Sequence, residues 1–288
     1  MGEVQTLTLG LIAGATVLLG LPLGRLRNRR HSRTTAGLRV FLNAIAIGIL
    51  IFIVWDLLTH AWAMIELALG EMRDGSGGLG PVLGLGALLL AGLGVGLLSL
   101  AAYERWLVGE GTAERLMMGP GAMAADELTI SAAGSWTAAH RLALLIAVGI
   151  GLHNFGEGLV IGSSAAQGKI ALATLLVMGF ALHNATEGFG IVAPLAADDE
   201  RAGWGFLLLL GLIGGGPTVL GTAVGHEFTN DAVSLVFLTL AAGSILYVII
   251  QLVAIALAGG HRPLLYWGVW AGLVAGFTTD MVLIASGA

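Results

Sequence analysis

Two short phrases in this chain hold residue types that bind metal ions. His153-Asn154-Phe155-Gly156-Glu157-Gly158 is echoed by His183-Asn184-Ala185-Thr186-Glu187-Gly188. In each copy the His and the Glu stand at i and i+4. On a helix such side chains share a face, with Cβ atoms about 5–6 Å apart. Each copy therefore offers one imidazole nitrogen and one carboxylate oxygen to a common cation. Asn154 and Asn184 follow their histidines by one position, about 100° round a helix, and flank the same groove. The candidate metal ligands are thus His153, Asn154, Glu157, His183, Asn184 and Glu187. Nitrogen and oxygen donors without sulfur suit Zn2+, Fe2+, Mn2+ and similar first-row ions. Dedicated Ca2+ or Mg2+ sites usually use oxygen alone. Two carboxylates nearly neutralise a divalent ion, which eases its transfer into a low dielectric. The imidazoles must be neutral to bind, so affinity is expected to weaken in acid.

Both phrases lie in apolar sequence. Charged residues make up 11% of the chain, against roughly 25% in ordinary soluble domains. The apolar share is 57%, there are 46 glycines, and mean hydropathy is +0.91. That composition fits helices facing lipid. With no cysteine, there is no disulfide framework or thiolate site to infer. The net charge of −5 gives no pointer to nucleic acid. Met1-Gly2-Glu3 lacks a basic n-region, so no ordinary signal peptide is expected.

Reading apolar runs of about 18–25 residues predicts an all-α, polytopic membrane protein. Eight spans are expected, near 5–24, 38–64, 79–107, 140–165, 168–195, 203–225, 232–258 and 265–287. The whole chain, 1–288, reads as one transmembrane domain. Its one long connection, about 109–138, is expected to be a flexible cytoplasmic loop with an acidic cast from Glu110, Glu114, Asp126 and Glu127. Arg25, Arg27, Arg29, Arg30, Arg33 and Arg39 cluster about the first connection. If that side is cytoplasmic, Arg105, Arg115, Arg141, Arg201 and Arg262 fall there too, leaving only Arg73 and Lys169 opposite. The positive-inside rule then places both termini outside.

His153 is about midway along the fourth span and His183 about midway along the fifth. Two antiparallel neighbours would present matching ligand sets at one depth. A weaker similarity links Phe41-Leu42, Ala46, Ile49-Leu50 and Ile53 with Phe237-Leu238, Ala242, Ile245-Leu246 and Ile249. The two spans are expected to run in opposite directions. This predicts an inverted repeat of spans 1–3 and 6–8 around central spans 4–5, a transporter pattern. Small residues four apart (Gly80/Gly84, Gly92/Gly96, Gly211/Gly215, Gly221/Gly225 and Gly272/Gly276) predict close helix packing. A blander role for the doubled phrase is to hydrogen-bond two spans, at ~0.6 kcal/mol per contact. Against it, two of only seven histidines occur as His-Asn dipeptides placed identically before Glu-Gly. Ionisable groups inside a membrane default to function.

The chain resembles the ZIP (Zrt/Irt-like protein) family of divalent metal transporters. Family helices 4 and 5 carry His-Asn-x-Pro-Glu-Gly or close variants, matched by His153, Asn154, Glu157 and Gly158 and by His183, Asn184, Glu187 and Gly188. Ala242-Gly243-Ser244-Ile245-Leu246-Tyr247 is similar to the family's seventh helix. The resemblance covers essentially the whole chain. It implies passive or gradient-driven movement of Zn2+, Fe2+, Mn2+ or Cd2+ into the cytoplasm by alternating access, commonly in a homodimer. The metal is then the transported substrate, with no cofactor. Gly156 and Thr186 replace the family proline. Gly216 precedes Pro217 where the family often has an acidic ligand, which favours one principal ion over two. Gln251 stands near a frequent acidic position, and the long loop lacks a His cluster.

Other polar residues have weaker assignments. Asp56 and His60 repeat the i,i+4 spacing toward the outer end of the second span and are candidates to catch incoming metal. His226, Glu227 and Asp231 sit at the outer mouth between spans six and seven. Asp198, Asp199 and Glu200 read as a solvated loop, His140 as interfacial, and His31 and His261 as loop residues. Glu104 and Asp280 lie in or near spans without nameable partners. The expected function is a secondary transporter of divalent transition metals in the plasma (inner) membrane, not an enzyme. An intramembrane metal-dependent hydrolase and a static metal-sensing protein are the alternatives. The former lacks His-Glu-x-x-His.

Overall fold

Spans that are apolar on every face have no single stripe to bury, so close backbone packing and a few polar contacts must hold them together. The computed structural model describes residues 2–25, 33–108, 137–168, 170–197, 202–227, 230–258 and 260–285, and it is built of helices. Helix α1 (Glu3–Ala15) continues through a short turn of helix, Val17–Gly20, and a 3-10 turn, Leu21–Arg25. Then follow α2 (Arg33–Arg73), α3 (Leu79–Val108), α4 (Ala138–Ala166) and α5 (Ile170–Val192). The order closes with α6 (Trp204–Glu227), α7 (Asp231–Ala258) and α8 (Arg262–Ala285).

Six segments are long and apolar enough to cross a bilayer: Glu3–Arg25, Val40–Arg73, Leu79–Arg105, Ala139–Ala166, Trp204–Glu227 and Ala232–Ala258. The chain is an integral membrane protein of all-α class. Eight spans were expected, and this count reaches six among the described residues. Helices α5 and α8 occupy the expected fifth and eighth positions, with 23 and 24 residues. In α8, Thr278, Thr279 and Asp280 dilute the apolar run. Helix α2 runs well past the expected residue 64, because Ile65–Met72 contains no helix breaker except Gly70. Of the connection expected near 109–138, residues 109–136, with Glu110, Glu114, Arg115, Asp126 and Glu127, lie outside the described residues. So do Arg27, Arg29, Arg30, His31, Lys169, Asp198, Asp199, Glu200 and Arg201, and the side chains of Arg33, Arg39 and Asp231.

The most extensive pairings are α4 with α6, α2 with α8, and α3 with α7. Helix α1 packs on α6 and α5, while α7 also joins α2 and α4. Glycine sets these distances. A Cβ on Gly158 of α4 would strike the Thr218 carbonyl of α6, and one on Gly221 of α6 would strike the Phe155 carbonyl of α4. Gly14 of α1 and Gly215 of α6 face each other in the same way. Of the small-residue pairs read from sequence, Gly92/Gly96, Gly211/Gly215, Gly221/Gly225 and Gly272/Gly276 lie at helix contacts. Gly80/Gly84 is a correction: nothing lies within 4 Å of a Cβ at either position. Gly84 instead lines an open cleft with Leu85, Leu88, Asn230 and Ala232.

The contrast makes a stability test. Gly221→Ala must displace a backbone carbonyl and should lose ~1–3 kcal/mol or more, the usual range for overpacking. Gly84→Ala, in open space, should be neutral or gain up to ~1 kcal/mol of helix propensity. Thermal unfolding of both variants in detergent checks this; equal behaviour would contradict the packing described.

Candidate metal centre

Helices α4 and α5 form a hairpin closed at Gln167–Gly168. Gly168 takes φ +77, a left-handed conformation that L side chains seldom adopt. Its amide donates to the Ala165 carbonyl at 3.1 Å, and that of Gln167 to Ser163 at 3.1 Å, so the last carbonyls of α4 are satisfied as the chain reverses. His153 and His183 stand equally far before and after Gly168. A tight reversal at the midpoint therefore brings the two copies of the phrase to the same level.

At that level the copies interlock. His153 Nε2 lies 3.1 Å from Glu157 Oε1 on its own helix and 3.7 Å from Glu187 Oε1 on α5. His183 Nε2 reaches across from α5 to the same Glu157 Oε1 in a short contact. Glu157 is thus shared by both imidazoles, whose ring centroids are 6.1 Å apart. One donor atom from each of His153, Glu157 and His183 falls within 4.8 Å of the others. Small side-chain shifts would let all three close on one ion at ~2.0–2.2 Å from each. His153, Glu157 and Glu187 are only 2%, 3% and 1% exposed at their side chains, whereas His183 is 17% exposed. Phe180 packs edge-on against the His183 ring at 5.6 Å between centroids.

The two asparagines divide their polar groups. Asn154 Nδ2 donates to the Gly214 carbonyl of α6 at 2.9 Å, and Asn184 Nδ2 donates to the Ala13 carbonyl of α1 at 3.2 Å. Both acceptors lie beside irregularities. Pro217 interrupts the α6 ladder, since proline has no amide to give the Ile213 carbonyl. At Thr16, α1 breaks, and both the hydroxyl and the amide of Thr16 donate to Ala13, at 2.6 and 3.3 Å. With their amide hydrogens fixed, both Asn residues keep Oδ1 buried without a hydrogen-bond partner.

Other polar atoms here are buried in the same condition: both ring nitrogens of His153, Oε2 of Glu157 and both carboxylate oxygens of Glu187 make no hydrogen bond. No Lys or Arg among the described residues pairs with either carboxylate. Buried polar atoms are normally satisfied, and buried charge is normally paired. A cation among these oxygens and nitrogens would meet both requirements.

The six expected ligands do not all stand alike. His153, Glu157 and His183 converge, Glu187 approaches through His153, and Asn154 and Asn184 are tied to neighbouring helices. Thr186 Oγ1 donates to the His183 carbonyl at 2.6 Å, a back-bond of the kind that bends helices. At Gly156 an added Cβ would only touch Ala241 at 3.7 Å, so close packing does not require that glycine. Sequence reading missed the carbonyls of Ala13 and Gly214. Interruption of the first and sixth spans, by Thr16 and Pro217, was the available signal.

The peripheral candidates stay apart from the cluster. His60 Nδ1 lies 2.9 Å from the Asp56 carbonyl and 3.4 Å from its carboxylate, an exposed i,i+4 pair on α2, with Asp280 of α8 in electrostatic reach. His226 is half-buried near the end of α6, where Glu227 is exposed. His140 bonds Thr137 at 2.7 Å and rests on the Phe206 ring, at an end of α4 as expected of an interfacial residue. Against known proteins, the chain matches no family model and no curated sequence.

Glu157→Gln removes the one carboxylate shared by both histidines. Zn2+ affinity of the purified protein should fall by more than the ~10–100-fold that loss of a supporting partner costs. Wild-type affinity should also fall as the pH is lowered from 7 to 5, because protons compete with the ion for the imidazole nitrogens. Titration calorimetry measures both, and pH-independent binding that survives the substitution would place the metal elsewhere.

Proposed function

We propose that the chain is a secondary transporter carrying divalent transition-metal ions into the cytoplasm, with Zn2+ first and Fe2+, Mn2+ or Cd2+ as further substrates. One observation carries the reading: α4, an apolar helix long enough to cross a bilayer, and its hairpin partner α5 contribute a shared His/Glu cluster whose remaining polar atoms are buried without hydrogen-bond partners. The resemblance of both phrases to the ZIP family supports the same conclusion.

On this reading α5 and α8 also cross the membrane, giving eight spans with both termini outside, in the plasma (inner) membrane. Spans 1–3 and 6–8 form the inverted repeat about α4 and α5, and alternating access exposes the cluster to each side in turn. The interruptions of α1 and α6 occupy corresponding places in the two halves, as in other transporters with broken helices at the site. Gly216 offers no carboxylate before Pro217, so one ion is carried at a time. A homodimer is the assembly that the resemblance implies.

Protein reconstituted into liposomes tests this. His153→Ala and Glu187→Ala should reduce Zn2+ uptake to the level of empty liposomes while the purified variants keep the helical content of wild type by circular dichroism, even if buried truncations lower their thermal stability. Unchanged flux in folded variants would refute the assignment. Competition among Zn2+, Fe2+, Mn2+ and Cd2+ in the same assay ranks the substrates.

A further inference from the structure

A second polar cluster lies away from the metal centre, between α3 and α7. Glu104 is one turn from the C-terminal end of α3, inside the apolar segment Leu79–Arg105. Its Oε2 accepts two hydrogen bonds from α7, from the Tyr247 hydroxyl at 2.9 Å and from Gln251 Nε2 at 3.0 Å. Tyr247 and Gln251 are at i and i+4, so one face of α7 supplies both donors. Tyr247 is buried and Glu104 is half-buried.

Both donors are neutral, and no cation is paired with this carboxylate among the described residues. Tyr103 and Arg105 on α3 and His140 and Arg141 on α4 are titratable groups toward this end, and the hydrogen bonds described for Glu104 come from Tyr247 and Gln251. Asn43 of α2, which faces α7, gives its amide to the Leu252 carbonyl instead. A carboxylate within a span that lacks a counter-charge is expensive. Charge count separates this cluster from the metal centre: two carboxylates there match a divalent ion, while one here matches a single positive charge.

We propose that Glu104 is a proton-binding site, held at the α3–α7 contact by Tyr247 and Gln251. A proton from water at the nearby helix end forms an O–H bond at Oε1, while Oε2 keeps both hydrogen bonds from α7. Release returns the proton to water and leaves the carboxylate. The pairing of α3 with α7 tightens at Gly96 and Gly243, whose added Cβ atoms would strike the Leu240 and Leu93 carbonyls of the opposite helix. The carboxylate is therefore carried on a pair of helices whose backbones approach closely. This site does not depend on the transport reading.

Infrared difference spectroscopy of the purified full-length chain, acid minus alkaline and without divalent metal, tests it directly. Wild type should show the carbonyl-stretch band of a protonated carboxylic acid appearing on acidification, with about one carboxyl's worth lost in Glu104→Gln. Tyr247→Phe removes one hydrogen bond from that carbonyl, so the same band should move to higher frequency, a readout that holds even if Glu104→Gln folds poorly. Replacing Na+ by a large organic cation should leave the band unchanged. Identical difference spectra for wild type and Glu104→Gln would overturn the proposal. So would a band insensitive to Tyr247→Phe, or one suppressed by Na+. Metal uptake plays no part in these readouts, so they stand or fall separately from transport.

Discussion

Glu157 belongs to two histidines on two helices, and much of the bundle is arranged to keep that sharing possible. A carboxylate 3% exposed in a membrane helix is held at a loss unless something positive or proton-donating meets it. The His153 ring lies 3.1 Å from it on α4, and His183 bonds it from α5. The second contact requires α4 and α5 to stand in register, which the reversal at Gly168 provides. It also requires α6 to lie close against α4, where Gly158 and Gly221 admit carbonyls that any side chain would push away. Close backbone packing and the ionisable cluster are thus one problem. Widening the first by the width of a methyl group would pull apart atoms that must fall within a few ångströms in the second.

Asn154 and Asn184 show how the flanking helices enter that arrangement. Each spends its amide hydrogens on a carbonyl beside a helix irregularity and turns its oxygen toward the interior. A regular helix commits its carbonyls to its own ladder, so a break or a proline is what frees the local backbone to serve as an anchor. Helices α1 and α6 therefore act as brackets around the α4–α5 hairpin. Their own mutual contact at Gly14 and Gly215 ties the two brackets together.

The residues that gather at the centre could be read from the sequence because their signal is local. Spacing of His and Glu on one helix face, and costly polar groups in apolar runs, need no knowledge of the fold. Register across the hairpin was legible too, since both histidines lie midway along their spans. What escaped was non-local or backbone-borne. The pairing of His183 with Glu157 rather than with its own Glu187 depends on the angle between two helices, which no spacing encodes. The carbonyls of Ala13 and Gly214 carry no residue-type signature. Gly80 and Gly84 look like Gly221 and Gly225 in sequence, yet only the latter meet a neighbour, because a small-residue pair states that close approach is possible and not that a partner is present. The partners of Glu104 lie on α7, far along the chain, and only folding brings them together.

The unequal exposure of the cluster has a kinetic side. Of the four ionisable groups, only His183 keeps a foothold in the accessible space, at 17%. A hydrated ion arriving from that side under the transport reading exchanges its first water for a neutral imidazole. The charged oxygens of Glu157 and Glu187 come afterwards, when the ion is already partly stripped. Dehydration is thereby divided into instalments, each offset by a new ligand before the next water leaves. On that reading the histidine at the threshold would govern loading, and the carboxylates behind it retention.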